Sequence, residues 1–362
     1  MVRTKSQYPG RIFGWAVVCA MSLVWLSLSA PAYSQEAGFE AARGKVLPQA
    51  LWMTDYHSFN EFKSGRIKKS GTPKANLKFG GDAGGITFDN KGNLWGSLSS
   101  GVPSGWIFGL TPGDIKTLRK RHRTTPSISI IGSGSQWYFP AALGISPAGN
   151  LWFVATGPNA VPELVEFTAD QFGQQVTAPP AVIIQVPDCF YLSGMSFDRS
   201  GDLWVAGVIL STGTGALYEY TPGQLTSSGT VTPALTVTRA QDSMHFVPNG
   251  IAFDGNGNLW AADSPALYGL PAKLELFAAS DLAGSGDSSA NPIVTIDSVT
   301  TPLGLAFDQG GNLWVADFLD IREFTPGQIA ASGSPDPVTI LKAGKRLKNF
   351  VVAVNLVFGP AY

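Results

Sequence analysis

The chain has 362 residues, with 25 Lys and Arg against 26 Asp and Glu, 42 Gly, 25 Pro and two Cys. A net charge of −1 excludes an electrostatic case for nucleic acid as the main partner, because phosphate binding needs an excess of Lys and Arg. Two cysteines can build neither a disulfide scaffold nor a Cys-rich zinc site.

At the N-terminus Arg3, Lys5 and Arg11 stand without an acid, the apolar run Ile12 to Leu28 follows, and Ala30 and Ala32 form a small-x-small site. These are the parts of a secretory signal peptide over residues 1–32, leaving 33–362 as one secreted or periplasmic domain. An uncleaved anchor is the alternative, since a run of about 17 residues lies at the low edge of a membrane span. No other stretch is long and apolar enough to cross a bilayer. Cys189 is then the only thiol of the mature chain and is expected to be buried.

Tryptophan marks a repeat. Asn93-Leu94-Trp95, Asn150-Leu151-Trp152, Asp202-Leu203-Trp204, Asn258-Leu259-Trp260 and Asn312-Leu313-Trp314 recur at spacings of 57, 52, 56 and 54, and Leu51-Trp52 makes a sixth copy. Each full copy reads as a β-hairpin: GITFDNKGNLW, ALGISPAGNLW, GMSFDRSGDLW, GIAFDGNGNLW and GLAFDQGGNLW. A third strand ending in an aromatic and often Thr-Pro-Gly follows (LYEYTPG, IREFTPG), then a fourth β-rich run such as ALTVT or PVTIL. Helical periodicity beyond the signal is confined to single turns around the TPGQ segments. Four short antiparallel strands about every 50 residues make a propeller blade, so the fold class is all-β, a six-bladed β-propeller. Asn355-Leu356-Val357-Phe358 matches a first strand and Leu51 to Asp55 a second, so the C-terminal strand is expected to pair with N-terminal strands and close the ring. The Trp residues are expected to pack between blades, and FDxxGN to form turns.

The pattern G-[LIM]-x-F-D-x-x-G-N-L-W-V-A-D resembles the NHL-repeat and SMP-30/gluconolactonase-like six-bladed propellers, and more distantly the streptogramin lyases, over essentially the whole chain beyond the signal. The SMP-30 resemblance implies a divalent cation at the central axis, held by a Glu, two Asn and an Asp near the repeat Gly. The corresponding positions here are Gly84, Ala141, Ser193, Asn249, Leu303 and Val354; Asn249 fits, and Leu303 stands where an Asp is expected.

In a propeller the loops between strands two and three and between strand four and the next strand one share a face, and here the latter differ most from copy to copy. That face is expected to collect Trp137, Tyr138, Asp188, Cys189, Tyr191, His245, Asn249, Arg346 and Lys348. Asp55, Asp263 and Asp317 align at one position on three blades, where the others carry Leu98, Ala155 and Gly207. Each Asp can accept N–H bonds within its loop, or the three can form an acidic arc for a cation or a basic ligand. His57 lies beside Asp55. His245 and Asp263 are the candidate catalytic groups; Asn249, Asp263 and Asp317 are the candidate metal ligands, for an ion such as calcium. Basic clusters at Lys63–Lys69, Lys116–Arg123 and Lys342–Lys348 place positive charge on one flank. The leading expectation is a binding module for a protein, peptide, glycan or small-molecule ligand, with Trp137, Tyr138 and Tyr191 as aromatic anchors. The alternative is a lactone or ester hydrolase or a lyase at the channel mouth.

Overall fold

The computed structural model describes residues 49–361 apart from 56, 81–82, 99–105, 123, 132–139, 158–159, 174–175, 177, 187, 266–267 and 345–353. Six sheets, each built on four antiparallel strands, form six blades, which we number along the chain. Blade 1 combines Gln49–Asp55, Ser58–Lys63 and Leu77–Phe79 with Asn355–Pro360 as its inner strand. The register pairs Leu51 with Phe358, Trp52 with Val357 and Thr54 with Asn355, so the chain ends close the ring as the repeat phase requires. The inner strands of blades 2 to 6 are Ala83–Phe88, Leu143–Ile145, Cys189–Phe197, Pro248–Phe253 and Gly304–Phe307.

Two kinds of contact join the blades. At the axis, backbone meets backbone: a Cβ added to Gly85, Gly194 or Gly250 would overlap the carbonyl of Ala141, Asn249 or Leu303 on the next blade, and one on Gly304 would stand 2.6 Å from the Val354 carbonyl. Side chains tie the same seam: Ser97 Oγ donates to Pro140 O and Ser193 Oγ to Pro248 O, each at 2.7 Å, and Asn355 Nδ2 donates to Gly84 O at 2.9 Å. Farther out the repeat tryptophans are buried and meet the following blade edge-on or tilted, Trp52 against Phe88, Trp95 against Phe172, Trp204 against Phe253 and Trp314 against Phe358, at 4.5–6.2 Å between ring centroids. The FDxxGN turns hold themselves: Asp89, Asp254 and Asp308 each accept two N–H bonds through Oδ1 and an Asn amide bond through Oδ2.

The outer rim departs from the sequence reading in two ways. First, the loop between strands three and four of a blade runs parallel to the outer strand of the preceding blade. Gly71 bridges Leu341, Val176 bridges Ile130 and Gly333 bridges Ile296, while Gly229–Thr230 and Gly286–Ala290 become fifth strands on blades 3 and 4. The recurring Ser-Gly of these loops has a role there: Ser70, Ser228 and Ser332 hydroxyls accept the N–H of Ile340, Ile183 and Thr295 at 2.9–3.0 Å. Every such pairing covers an edge that would otherwise template another strand. Second, blade 2 uses a helix, Pro112–Arg121, where single turns are expected. Pro112 starts it and a Thr111–Asp114 capping box holds its first turn. Ile115 and Leu118 pack into the blade 1 cluster, and Arg119 ion-pairs with buried Glu61.

Deleting 355–362 removes the inner strand of blade 1 and exposes two sheet edges. The expected result is loss of the cooperative thermal transition in circular dichroism; a retained transition would break the closure assignment.

Candidate functional site

The loop face carries a buried charge network centred on Arg239. This residue ends the outer strand of blade 4 (Leu235–Arg239), in which Leu235, Val237 and Arg239 point inward by strand alternation. Its Nη1 donates to Asp263 Oδ2 at 3.0 Å and Glu275 Oε1 at 2.8 Å, its Nε to Gln241 O at 2.9 Å and its Nη2 to Asp242 O at 2.8 Å. The guanidinium lies over the Phe246 ring at 5.4 Å. Asp263, 1% exposed, also accepts Val247 N–H at 2.7 Å. Burial, then the neighbouring Glu275 carboxylate, push the Asp263 carboxyl up to about 7 against the opposing pull of Val247 N–H and Arg239, because one guanidinium serves two desolvated carboxylates. Glu275 is raised as well, by burial, and its Oε2 has no hydrogen-bond partner.

The other aligned acids are engaged in the same manner. Asp317 accepts Thr300 N–H at 2.9 Å and Thr301 N–H at 2.5 Å and pairs with Arg322 Nε at 2.9 Å. Asp55 accepts His57 N–H at 2.9 Å and Ser58 Oγ–H at 2.8 Å and lies 3.5 Å from Lys78 Nζ. The three carboxylates therefore fasten their loops and each faces a basic side chain. The axial positions offer little more: Ser193 Oγ is spent on the carbonyls of Ala206 and Pro248, and Gly84, Ala141, Leu303 and Val354 have no donor atom in the side chain. Asn249 is buried, with its carbonyl against Gly194. These residues do not fit an axial cation of the kind the resemblance implies, which needs several oxygen ligands. Among the described residues no group of three or more His, Cys, Asp or Glu could hold a metal ion.

His245 stands beside this network. A 3₁₀ turn, Ser243–His245, presents the imidazole with Nδ1 hydrogen-bonded to the Asp242 carboxylate and the ring edge-on to exposed Tyr268 at 5.1 Å. His57 is exposed in its own loop on blade 1. Asp188 is exposed and accepts Ser211 N–H at 3.1 Å and Ser211 Oγ–H at 3.0 Å, joining two loops of blade 4. Tyr191 is buried and meets Phe190 edge-on at 5.7 Å. Burial pushes the Cys189 thiol up to about 12, and Cys189 Sγ lies 2.9 Å from Tyr191 O, an unreactive setting. Trp137, Tyr138, Arg346, Lys348 and the N-terminal segment 1–32 lie outside the described residues. Arg66, Lys68, Lys69, Lys116, Lys120 and Arg121 are exposed on the rims of blades 1 and 2.

The network partners Arg239, Glu275, Asp242 and Arg322 were not singled out from sequence; the signal available for the first was an Arg at an inward position of an alternating strand. A second feature was also missed. Of the seven exposed large hydrophobic side chains among the described residues, five (Phe190, Leu210, Tyr268, Leu270 and Leu319) lie in loop-face segments of blades 4, 5 and 6.

No family profile matches the chain, and no curated protein matches it. Solved structures do. A protein of unknown function from Bacteroides caccae is 12% identical, with a TM-score of 0.54 over 86% of this chain and 99% of that one. A luciferin-regenerating enzyme is 13% identical, with a TM-score of 0.50 over 81% and 84%. A gluconolactonase from Xanthomonas campestris is 13% identical at a TM-score of 0.42, over 75% and 84%. At these identities the likeness is one of fold alone, the six-bladed propeller that the sheet order shows.

Two outcomes follow from the network. Arg239→Met leaves two buried carboxylates without their cation and should cost about 3–5 kcal/mol in denaturant melts. Asp263 and Glu275 bind their protons more tightly folded than unfolded, so the stability this adds is full in acid and is lost as pH rises through about 7. The melting temperature should be higher at pH 5 than at pH 8, and Glu275→Gln should narrow the difference.

Proposed function

We propose that the chain is an exported binding module, its leader 1–32 removed, that uses the loop face of blades 4 to 6 to hold an apolar or amphipathic segment of a protein or peptide. The observation that carries this reading is the arc of exposed apolar side chains, with Leu319 60%, Leu210 56% and Tyr268 51% exposed on successive blades. Soluble monomers expose few such groupings, and each side chain removed from water on binding contributes about 1–2 kcal/mol. The charge network beneath makes the surface rigid, which lowers the entropy lost on binding. Asp188, exposed, and His245, partly exposed, supply the neighbouring polar groups, whereas Tyr191 and Asn249 are buried, so that Tyr191 is not the aromatic anchor the sequence suggests. Among the described residues no helix is long and apolar enough to cross a membrane. Selection from a displayed peptide library should yield ligands with aromatic or aliphatic anchors. Tyr268→Ala with Leu319→Ser should weaken them by roughly 10-fold or more; ligands indifferent to both substitutions would count against this face.

The Asp242–His245 pair favours a second reading, a lactone or ester hydrolase or lyase of the NHL/SMP-30-like group. A carboxylate on Nδ1 fixes the imidazole so that Nε2 can take a proton from an attacking water. No step here needs a metal ion. If this reading holds, hydrolysis of simple lactones should fall about 100-fold or more in His245→Ala with the fold intact. Equal rates in the two proteins would leave the binding reading alone.

A further inference from the structure

The segment between strands three and four of each blade lies on the outer rim, and its charge differs sharply around the ring. In blades 3 to 6 these segments, residues 168–181, 221–234, 278–293 and 325–338, contain no Lys or Arg. In blades 1 and 2 the same segments are basic. Arg66, Lys68, Lys69 and Lys74 are exposed on blade 1, and Lys116, Lys120 and Arg121 on blade 2. A requirement for solubility gives no reason to confine such charge to two neighbouring copies of one loop.

The structure joins the two basic segments into one surface. Ile67 of the short helix Ser64–Ile67 is buried in the same blade 1 cluster as Ile115 and Leu118 of the helix Pro112–Arg121. Arg119 pairs with buried Glu61, on the strand that leads into the first of these helices. Farther along, Ser70 Oγ accepts Ile340 N–H and Gly71 N–H donates to Ile340 O, each at 2.9 Å, which fastens the stretch carrying Lys68, Lys69 and Lys74 to blade 6. The two acids of these segments are spent. Glu61 serves Arg119, and Asp114 Oδ2 accepts Thr111 N–H at 2.9 Å and Ser127 N–H at 3.3 Å. Among the described residues none of the seven exposed cations is in an ion pair. Lys116 and Lys120 even stand four apart on the helix, a like-charge spacing that weakens it. Packing of Ile115 and Leu118 holds the helix in spite of that repulsion.

We propose that the rim of blades 1 and 2 is a docking surface for an acidic polysaccharide, a linear chain bearing sulfate or carboxylate groups. The cations come from three stretches spaced along the rim, so they match the repeated charges of a polymer better than one small anion. A bilayer fits less well, because lasting attachment needs an apolar anchor beside the charge. The exposed large hydrophobic side chains among the described residues all lie on blades 4 to 6. Single-stranded nucleic acid fits less well for a related reason, since its bases need exposed aromatic rings to stack on. This rim is separate from the loop face and does not depend on what that face binds.

Calorimetric titration of the intact propeller with heparin, a sulfated probe, and polygalacturonate, a carboxylated one, tests this. At least one should bind saturably at low salt, with an affinity that falls steeply as salt rises. Lys116→Gln with Lys120→Gln should weaken binding roughly 10-fold or more and flatten the salt dependence. Gln matches Lys in helix propensity and removes the repulsion, so the melting temperature should hold or rise. Arg66→Gln with Lys68→Gln should weaken binding as much, because the two helices form one surface. Lys342→Gln, exposed at the end of the outer strand of blade 6, should change nothing. No saturable binding to either probe would overturn the proposal, as would binding unchanged in either double variant or an equal loss in Lys342→Gln. Tighter binding at equal salt to phosphatidylserine vesicles or to duplex DNA would overturn it too and assign the rim to that polyanion.

Discussion

Everything in this molecule depends on one antiparallel pairing, that of Asn355–Pro360 with Gln49–Asp55. Without it the ring has two free edges, and the backbone contacts at the axis lose the circular order that makes each blade the support of the next. The glycine seam is the second half of the same constraint. Because Gly85, Gly194, Gly250 and Gly304 present no side chain, neighbouring inner strands close until carbonyl meets α-carbon, and the axis becomes a wall of main chain. A wall of that kind leaves few side-chain oxygens at the centre, so the chemistry is displaced outward, onto loops and turns.

On the loop face that displacement produces an unusual division of labour. The aligned acids Asp55, Asp263 and Asp317 face Lys78, Arg239 and Arg322, fastening loops to the barrel of strands. Arg239 does more, since it stands on blade 4 while Asp263 and Glu275 belong to blade 5. A cation between blades and two carboxylates around it join neighbouring sheets with directional bonds, whereas the tryptophans join them by shape. Tyr268, Leu270 and Leu319, which remain in solvent, stand in the loops that follow Asp263 and Asp317, a fastened support for recognition.

The turn face shows what happens when one repeat residue changes partner chemistry. An Asn amide in a turn satisfies a carboxylate; Asp202 in its place adds a second one, and buried Glu219 makes a third. The same scaffold position thus turns from a structural clasp into a crowding of carboxyls, which burial and mutual repulsion drive toward the protonated form.

Sequence alone determined the fold, the blade count and the closure. The Leu-Trp spacing, the FDxxGN turns and the unmatched first and second strands at the two ends are local patterns, and each follows from strand alternation and turn chemistry. The Asp position was legible for the same reason. The basic partners were not: Lys78, Arg239 and Arg322 come from different strands, and nothing local to Arg239 says that it crosses to Asp263 on the next blade. The parallel lashings of the outer rim were hidden in the same way, although their Ser-Gly mark stood in plain view. Glu219 resembles Glu166 and Glu323 in sequence and differs from them only in what faces it. Only the tertiary structure decided these matters, because charge pairing, edge covering and exposure depend on which blades are neighbours, and that distance is set by the closed ring rather than by the chain.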